Sequence, residues 1–223
     1  MKKPVVISVG GSILVPQGED IQRIQSLASS LLSLASDRQL FVVVGGGRYS
    51  RAYINMGRAL GGSEEVLDSM GIQVTRLNAL LLKLALRSSG PVPETVEEAA
   101  EMDGRIVIMG GTVPGHTTDA VSAMLAVETG ADVVVNATDV DGVYTADPKK
   151  NPEAERIPRI SFSELEAMVR DAEGRAGAHV PFDPKGVRLL MEHGKKLVIV
   201  AGRDAEALKM AVEGDYSIGT LVE

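Results

Sequence analysis

Cysteine and tryptophan are both absent from the 223-residue chain. Without cysteine there are no disulfides, no thiolate nucleophile and no Cys-based zinc site. Only four tyrosines and three phenylalanines are present, too few for the base-stacking platform of a single-strand nucleic-acid binder. Positive charge is also in deficit: the formal net charge is −7 and the sequence pI about 5.1. That balance disfavours a nucleic-acid coat or a membrane-surface role. No apolar run is long enough to span a bilayer. The opening MKKPVVISVGGS has a basic pair, but its apolar stretch soon meets two glycines. It reads as a first strand and not as a signal peptide, so a cytoplasmic protein with no membrane partner is expected. What remains is an ordinary globular composition, 44% apolar and 24% charged, in a length that suits one α/β domain spanning 1–223.

Five short runs rich in Val and Ile stand out: Val5–Val9, Leu40–Val44, Ile106–Met109, Val133–Val135 and Leu197–Val200. None alternates with polar residues, which predicts strands buried on both faces of a mostly parallel sheet. Helical periods lie between them. Ile21, Ile24, Leu27, Ala28, Leu31, Leu32 and Ala35 repeat every 3.6 residues behind Asp20, a predicted N-cap. Leu77, Leu80, Leu81, Leu84 and Ala85 form a second such stripe. Ser161 and Glu164 match a capping box, and further helices are expected after Pro184 and over Ala205–Val212. Strands alternating with helices predict a doubly wound α/β sandwich.

Three glycine clusters directly follow predicted strands: Gly10-Gly11-Ser12, Gly45-Gly46-Gly47 and Gly110-Gly111-Thr112. Ligands of open α/β sheets bind at the carboxyl ends of strands, where glycine lets backbone N–H groups approach phosphate oxygens closely. Taken singly, each cluster is equally a tight turn. No GxxxxGK[ST] occurs, and Gly45-Gly46-Gly47-Arg48-Tyr49-Ser50 fails GxGxxG at its last position, so neither a P-loop nor a dinucleotide-binding motif is present. Arg48 and Arg51 follow the second cluster, near the positive end of any helix starting at Tyr49.

The densest polar segment runs from Gly110 through Thr112, Val113, Pro114, Gly115, His116, Thr117 and Thr118 to Asp119. Helix capping by Thr117, Thr118 or Asp119 explains one of these groups, and a site for an anion and a base edge explains the rest. His116 has no ligand spacing with His179 or His193. Downstream, Asn136–Pro148 carries two acidic turns flanking Tyr144, an arrangement suited to a base and ribose. Pro181-Phe182-Asp183-Pro184 sets a carboxylate before a helix, as an N-cap, a lysine-orienting group or a contact for Mg²⁺.

The motifs GGSILVP, VVVGGGRYSR, GIQVTRLNALLL, GGTVPGHTTDA and TDVDGVYTADPKKNP resemble those of the amino acid kinase family, and within it most closely the archaeal branch of UMP kinases. The resemblance spans essentially the whole chain. It implies a three-layer αβα fold, a homohexamer, ATP with Mg²⁺ as phosphoryl donor, and UMP as acceptor. ATP would occupy the C-terminal half and the acceptor the N-terminal half. Carried over by position, Gly10, Gly11 and Ser12 would contact the ATP phosphates, while Thr138, Tyr144 and Asp147 would line the adenine and ribose. Gly45 and Asp68 would hold UMP, and residues 112–118 would enclose its uracil and phosphate. Gly46 and Arg51 would bridge to the transferring group. Many family members carry a lysine two residues before the first paired glycine. Ser8 stands there in this chain, as is common in the archaeal branch. Arg51 is then the first candidate for the catalytic cation, with Arg48 and Lys185 behind it. The Asp183-Pro184 pair ahead of Lys185 resembles a site near the active centre elsewhere in the family, which makes Asp183 a catalytic candidate.

Phosphoryl transfer of this kind needs alignment and charge stabilisation, and no general base when the acceptor is already an anion. Two rival readings remain open on sequence: a sister kinase acting on isopentenyl phosphate, carbamate or an amino-acid carboxylate, and a nucleotide-binding storage or sensor protein without turnover.

Overall fold

A computed structural model of the chain describes residues 2–16, 20–146, 148, 151–173 and 182–223. The first half runs β1 (Val5–Val9), α1 (Gly11–Leu14), α2 (Ile21–Leu34), β2 (Leu40–Val44), α3 (Gly47–Ala59), α4 (Glu64–Ala85), α5 (Val96–Glu101) and β3 (Ile106–Met109). The second runs α6 (Thr118–Glu128), β4 (Val133–Thr138), β5 (Val143–Tyr144), β6 (Arg156–Ile157), β7 (Arg159–Ile160), α7 (Phe162–Glu173), α8 (Pro184–Glu192), β8 (Lys196–Ala201), α9 (Ala205–Glu213) and β9 (Thr220–Val222). All five strands expected from the apolar runs form, with β4 and β8 extending a little beyond them.

The sheet order is β3-β2-β1-β4-β8-β9-β7. The five strands from β3 to β8 are parallel, and β9 runs antiparallel to β8. The valine-rich strands lack polar alternation because helices cover both faces. Along β1, Val5, Ile7 and Val9 enter one layer with Leu31 of α2, Ala79 and Leu82 of α4, and Leu208 of α9. Val6 enters the opposite layer with Val121 and Leu125 of α6 and Leu190 of α8. Each fully buried Val or Leu stabilises the fold by about 1.5–3 kcal/mol, so two such layers anchor the strand ends that carry the glycine loops.

Local chemistry fixes the helix starts. Asp20 accepts from the Gln22 N–H at 3.0 Å. Ser161 and Glu164 form the reciprocal capping box, with Glu164 Oε2 accepting from Ser161 N at 2.9 Å and Ser161 Oγ accepting from Glu164 N at 3.2 Å. Asp183 caps α8 through the N–H groups of Lys185 and Gly186.

The apolar stripe of α4 behaves differently from its expected role. The helix forms, but Leu77, Leu80, Leu81 and Leu84 lie on its exposed side, with Leu84 73% exposed. Its buried side is Leu67, Gly71, Ile72, Val74, Thr75, Asn78, Ala79, Leu82 and Lys83. Tyr53, Met56 and Leu60 on and just past α3, and Val66 at the start of α4, add to the exposed apolar surface. Ile21 and Leu32 of the α2 stripe are also exposed. Periodicity thus identified both helices, while Leu67, Ile72, Val74 and Leu82 with small and polar residues, and not the expected stripe, pack α4 inward.

Candidate active site

The chain passes from β1 outward to β2 and β3, then returns to place β4 on the other side of β1. The order reverses between β1 and β4, and the crevice outside their carboxyl ends is where open α/β sheets bind ligands. Gly10 and Thr138 flank this crevice: Gly10 N–H donates to Ala137 O at 3.0 Å, and Gly202 N–H to Thr138 O at 2.7 Å. Beyond Thr138, the Tyr144 hydroxyl donates to Asp141 Oδ1 at 2.8 Å. That bond, more than burial, pushes the phenol above its ordinary value. Asp147, His179 and Pro181 lie outside the described residues.

The first two glycine loops pack on each other. Gly47 has φ +61°, and a Cβ there would stand 2.6 Å from the Gly11 carbonyl carbon. A Cβ on Gly11 would meet Gly47 N at 2.3 Å and Gly45 O at 2.4 Å. Backbone-to-backbone contact therefore demands these glycines before any ligand is considered. It also brings α3 alongside α1, so that Arg51 Nη2 reaches Ser12 Oγ at 3.5 Å. The amides of Gly10 and Gly45 are already spent on the sheet, Gly45 donating to Val9 O at 2.9 Å. Donors left for an anion include the first-turn N–H groups of α1 and α3, which intrahelical bonding leaves unpaired. Arg48 turns away from this turn, stacking over the Tyr49 ring at 4.4 Å and donating to its hydroxyl at 2.6 Å.

The third loop arches from β3 to α6. Thr117 caps α6 by accepting from Ala120 N at 3.2 Å. Val113 through Thr117 are exposed and Thr118 is half-buried. Thr112 Oγ1 is enclosed without a hydrogen-bond partner among the described residues, a polar atom of the kind that a bound ligand would satisfy. Two side chains grip the Gly115 peptide from opposite sides. Asp68 Oδ2 accepts from Gly115 N at 2.8 Å, and Lys185 Nζ donates to Gly115 O at 3.0 Å. Asp68, Gly115 and Lys185 are thus brought together, and Lys185 engages the loop without approaching Arg51 through any hydrogen bond among the described residues.

Sequence reasoning read Asp119 only as a possible cap, and missed its place at the centre of the site. Ser8, buried in β1, donates to Asp119 Oδ1 at 3.2 Å, and the Asp183 N–H donates to Oδ2 at 3.3 Å. Burial pushes the Asp119 carboxyl up to about 6, against these two hydrogen bonds that favour the charged form. The residue keeps some exposure at its edge, yet desolvation of the carboxyl group is the larger effect. Asp119 therefore links the β1 position where many family members hold lysine to the N-terminus of α8. The Thr-Thr-Asp run at a helix start looks the same in sequence whether it caps or reaches into a site, which is why it gave no signal.

An αβα sandwich with glycine loops at three parallel strand ends defines a phosphate-handling α/β protein. Residues 3–201 match the amino acid kinase family, and the chain belongs to that family. It is 45% identical over 222 residues to the uridylate kinase of Methanothermobacter thermautotrophicus, covering 98% of each chain. To the uridylate kinase of Pyrococcus abyssi it is 41% identical over 224 residues, covering 98% of this chain and 99% of that one. The crystal structure of uridylate kinase from Archaeoglobus fulgidus superposes with a TM-score of 0.87 at 42% identity, covering 98% and 99% of the two chains.

Proposed function

We propose that this chain is an ATP-dependent UMP kinase that transfers the γ-phosphoryl group directly to UMP, giving UDP and ADP. The observation that carries the reading is identity above 40% over nearly the whole length to archaeal proteins that are uridylate kinases. In the transfer, a UMP phosphate oxygen forms the new P–O bond in line with the breaking bond to the β-phosphate oxygen. No proton moves, so no base is required. ATP occupies the β1–β4 crevice, its phosphates near Gly10, Gly11 and Ser12 and its adenosine near Thr138 and Tyr144. UMP occupies the side of β2 and β3, held by Gly45, Asp68 and residues 112–118. Asp68 spends Oδ2 on Gly115, which leaves Oδ1 for a ribose hydroxyl. Arg51, beside Ser12, is the cation that meets the transferring group with Gly46, and Asp183 orders the start of α8 next to Asp119.

Among the described residues no group of three or more His, Asp or Glu forms a metal cage. Mg²⁺ would accompany the ATP phosphates, the usual mode for an ion that keeps most of its waters, and would supply charge neutralisation there. The enzyme works in the cytoplasm, in pyrimidine nucleotide biosynthesis. It assembles as a homohexamer, and the exposed leucines of α4 with Tyr53 and Met56 of α3 are the kind of apolar surface that association covers.

The test is ADP release from Mg-ATP with UMP, CMP, AMP, isopentenyl phosphate and no acceptor in parallel. Fast turnover with UMP is the expected result. Turnover confined to another acceptor would retain the fold and reject the substrate, and ATP binding with no turnover would favour a storage or sensor role.

A further inference from the structure

The segment Gly71-Ile-Gln-Val-Thr-Arg-Leu-Asn-Ala-Leu-Leu-Leu82 lies in the middle of α4 and contacts neither nucleotide in the scheme above. One stretch of it nevertheless touches the backbone of both loops on the acceptor side. Thr75 Oγ1 accepts from the Gly111 N–H at 2.7 Å and donates to Ile72 O at 2.6 Å. Arg76 Nε and Nη2 donate to the carbonyls of Gly111 and Thr112 at 3.3 and 3.2 Å, and Nη1 pairs with Glu94 at 2.8 Å. Asn78 Nδ2 donates to the carbonyls of Gly45 at 2.8 Å and Gly46 at 3.4 Å. A Cβ on Gly110 would stand 2.5 Å from Thr75 Oγ1 and 2.8 Å from Arg76 N, so the third loop rests directly on this turn of helix.

Thr75 and Asn78 are buried, and the Arg76 side chain is 16% exposed. Polar groups placed inward carry a desolvation cost that apolar residues of similar size avoid. Here the polar atoms are spent on loop backbone. A trans peptide is planar, with its C=O and the following N–H pointing in opposite directions. Fixing the carbonyls of Gly45, Gly46, Gly111 and Thr112 toward α4 therefore directs the N–H groups of Gly46, Gly47, Thr112 and Val113 away from it.

We propose that Thr75, Arg76 and Asn78 are positioning residues. Arg76 and Asn78 hold the carbonyls of two loops and Thr75 holds the Gly111 N–H, and together they aim four backbone N–H donors at the phosphate of the acceptor. The identity of that acceptor rests on the UMP kinase reading, whereas the grip on the loops does not. The grip makes the polar strip of α4 part of the site, although no atom of it touches substrate.

Two measurements on Arg76→Met, Asn78→Leu and Arg76→Lys test this. The first is hydrogen exchange of residues 44–47 and 109–113 without ligand, where the Gly45 and Gly111 amides report the grip. The second is the split between KM for UMP and KM for ATP. Loss of a hydrogen bond of this kind predicts about tenfold faster exchange in the loop concerned and about a tenfold higher KM for UMP. The KM for ATP should stay near wild type, and Arg76→Lys, which keeps the charge and one donor, should recover part of the effect. Should Asn78→Leu not fold, Arg76→Lys against Arg76→Met carries the test. Wild-type exchange in both loops of the folded variants would overturn the proposal, and so would loosened loops with an unchanged KM for UMP. If the wild type itself fails to use UMP, the functional reading falls, and the exchange data alone decide whether these residues hold the loops.

Discussion

Asp119→Asn should abolish a specific pH dependence of stability. The Asp119 carboxyl sits at about 6 in the folded chain, raised from 3.8 chiefly by burial. The folded state therefore retains a proton over an interval in which the unfolded chain has lost it. Below about pH 4 both states are protonated and burial exacts nothing. As pH rises from 4 to 6 the unfolded state gains from ionising and the folded state does not, so stability falls, and above about pH 6 the loss is constant. At about 1.36 kcal/mol per pH unit, the full loss is about 3 kcal/mol. Asparagine fits the same partners: its carbonyl oxygen accepts from Asp183 N, and its amide donates to Ser8 Oγ once that hydroxyl rotates. The assay is thermal unfolding of both proteins from pH 4 to 8 at one protein concentration, since assembly also shifts Tm. Subtracting the two curves cancels the other carboxylates. The variant should gain on the wild type by up to about 3 kcal/mol between pH 4 and 6.5, or about 6–12 °C for a chain of this size. A difference that stays flat across the range, or that turns against the variant at high pH, would refute the reasoning.

Three other outcomes follow from the same geometry. Arg51 is exposed and bonds only Ser12 Oγ among the described residues, so Arg51→Ala should leave the melting curve in place while kcat falls about 10²–10³-fold. Gly47→Ala imposes φ +61° on a side chain whose Cβ meets the Gly11 carbonyl at 2.6 Å. It should cost more than about 1 kcal/mol in denaturant unfolding and depress turnover, because the two loops must separate. Leu80→Glu with Leu84→Glu, on the exposed face of α4, should lower the mass measured by analytical ultracentrifugation, with secondary structure by circular dichroism unchanged.

The parts of the fold legible in the sequence were those where one pattern had one cause. Val5–Val9 and Leu40–Val44 are buried along their whole length, and a run this short, rich in Val and Ile and without polar alternation, marks a strand covered on both faces. Asp20, Ser161 and Asp183 could be read as caps because capping is local. The short pairings β5–β6 and β7–β9 escaped notice, since strands of two or three residues carry no period. The direction of α4 was hidden for a deeper reason. Its leucines mark an apolar face, but hydropathy cannot distinguish a face covered by the chain's own core from one left open on the single chain. The inward face relies on Gly71, Thr75, Asn78 and Ala79, whose value lies in close approach and hydrogen bonds to loops distant in sequence. Asp119 was illegible in the same way. Its partners, Ser8 and Asp183, stand 111 and 64 residues away, and only the β1–α6–α8 packing brings them together.

The most direct test of the account follows the label from ATP carrying ³²P in its γ-phosphate, incubated with Mg²⁺, UMP and the purified protein, with nucleotides separated and protein precipitated. Direct transfer predicts label in the β-phosphate of UDP, stoichiometric with ADP formed, and none on the protein. Label appearing as inorganic phosphate, or held covalently on the protein before it reaches UDP, would contradict the central claim.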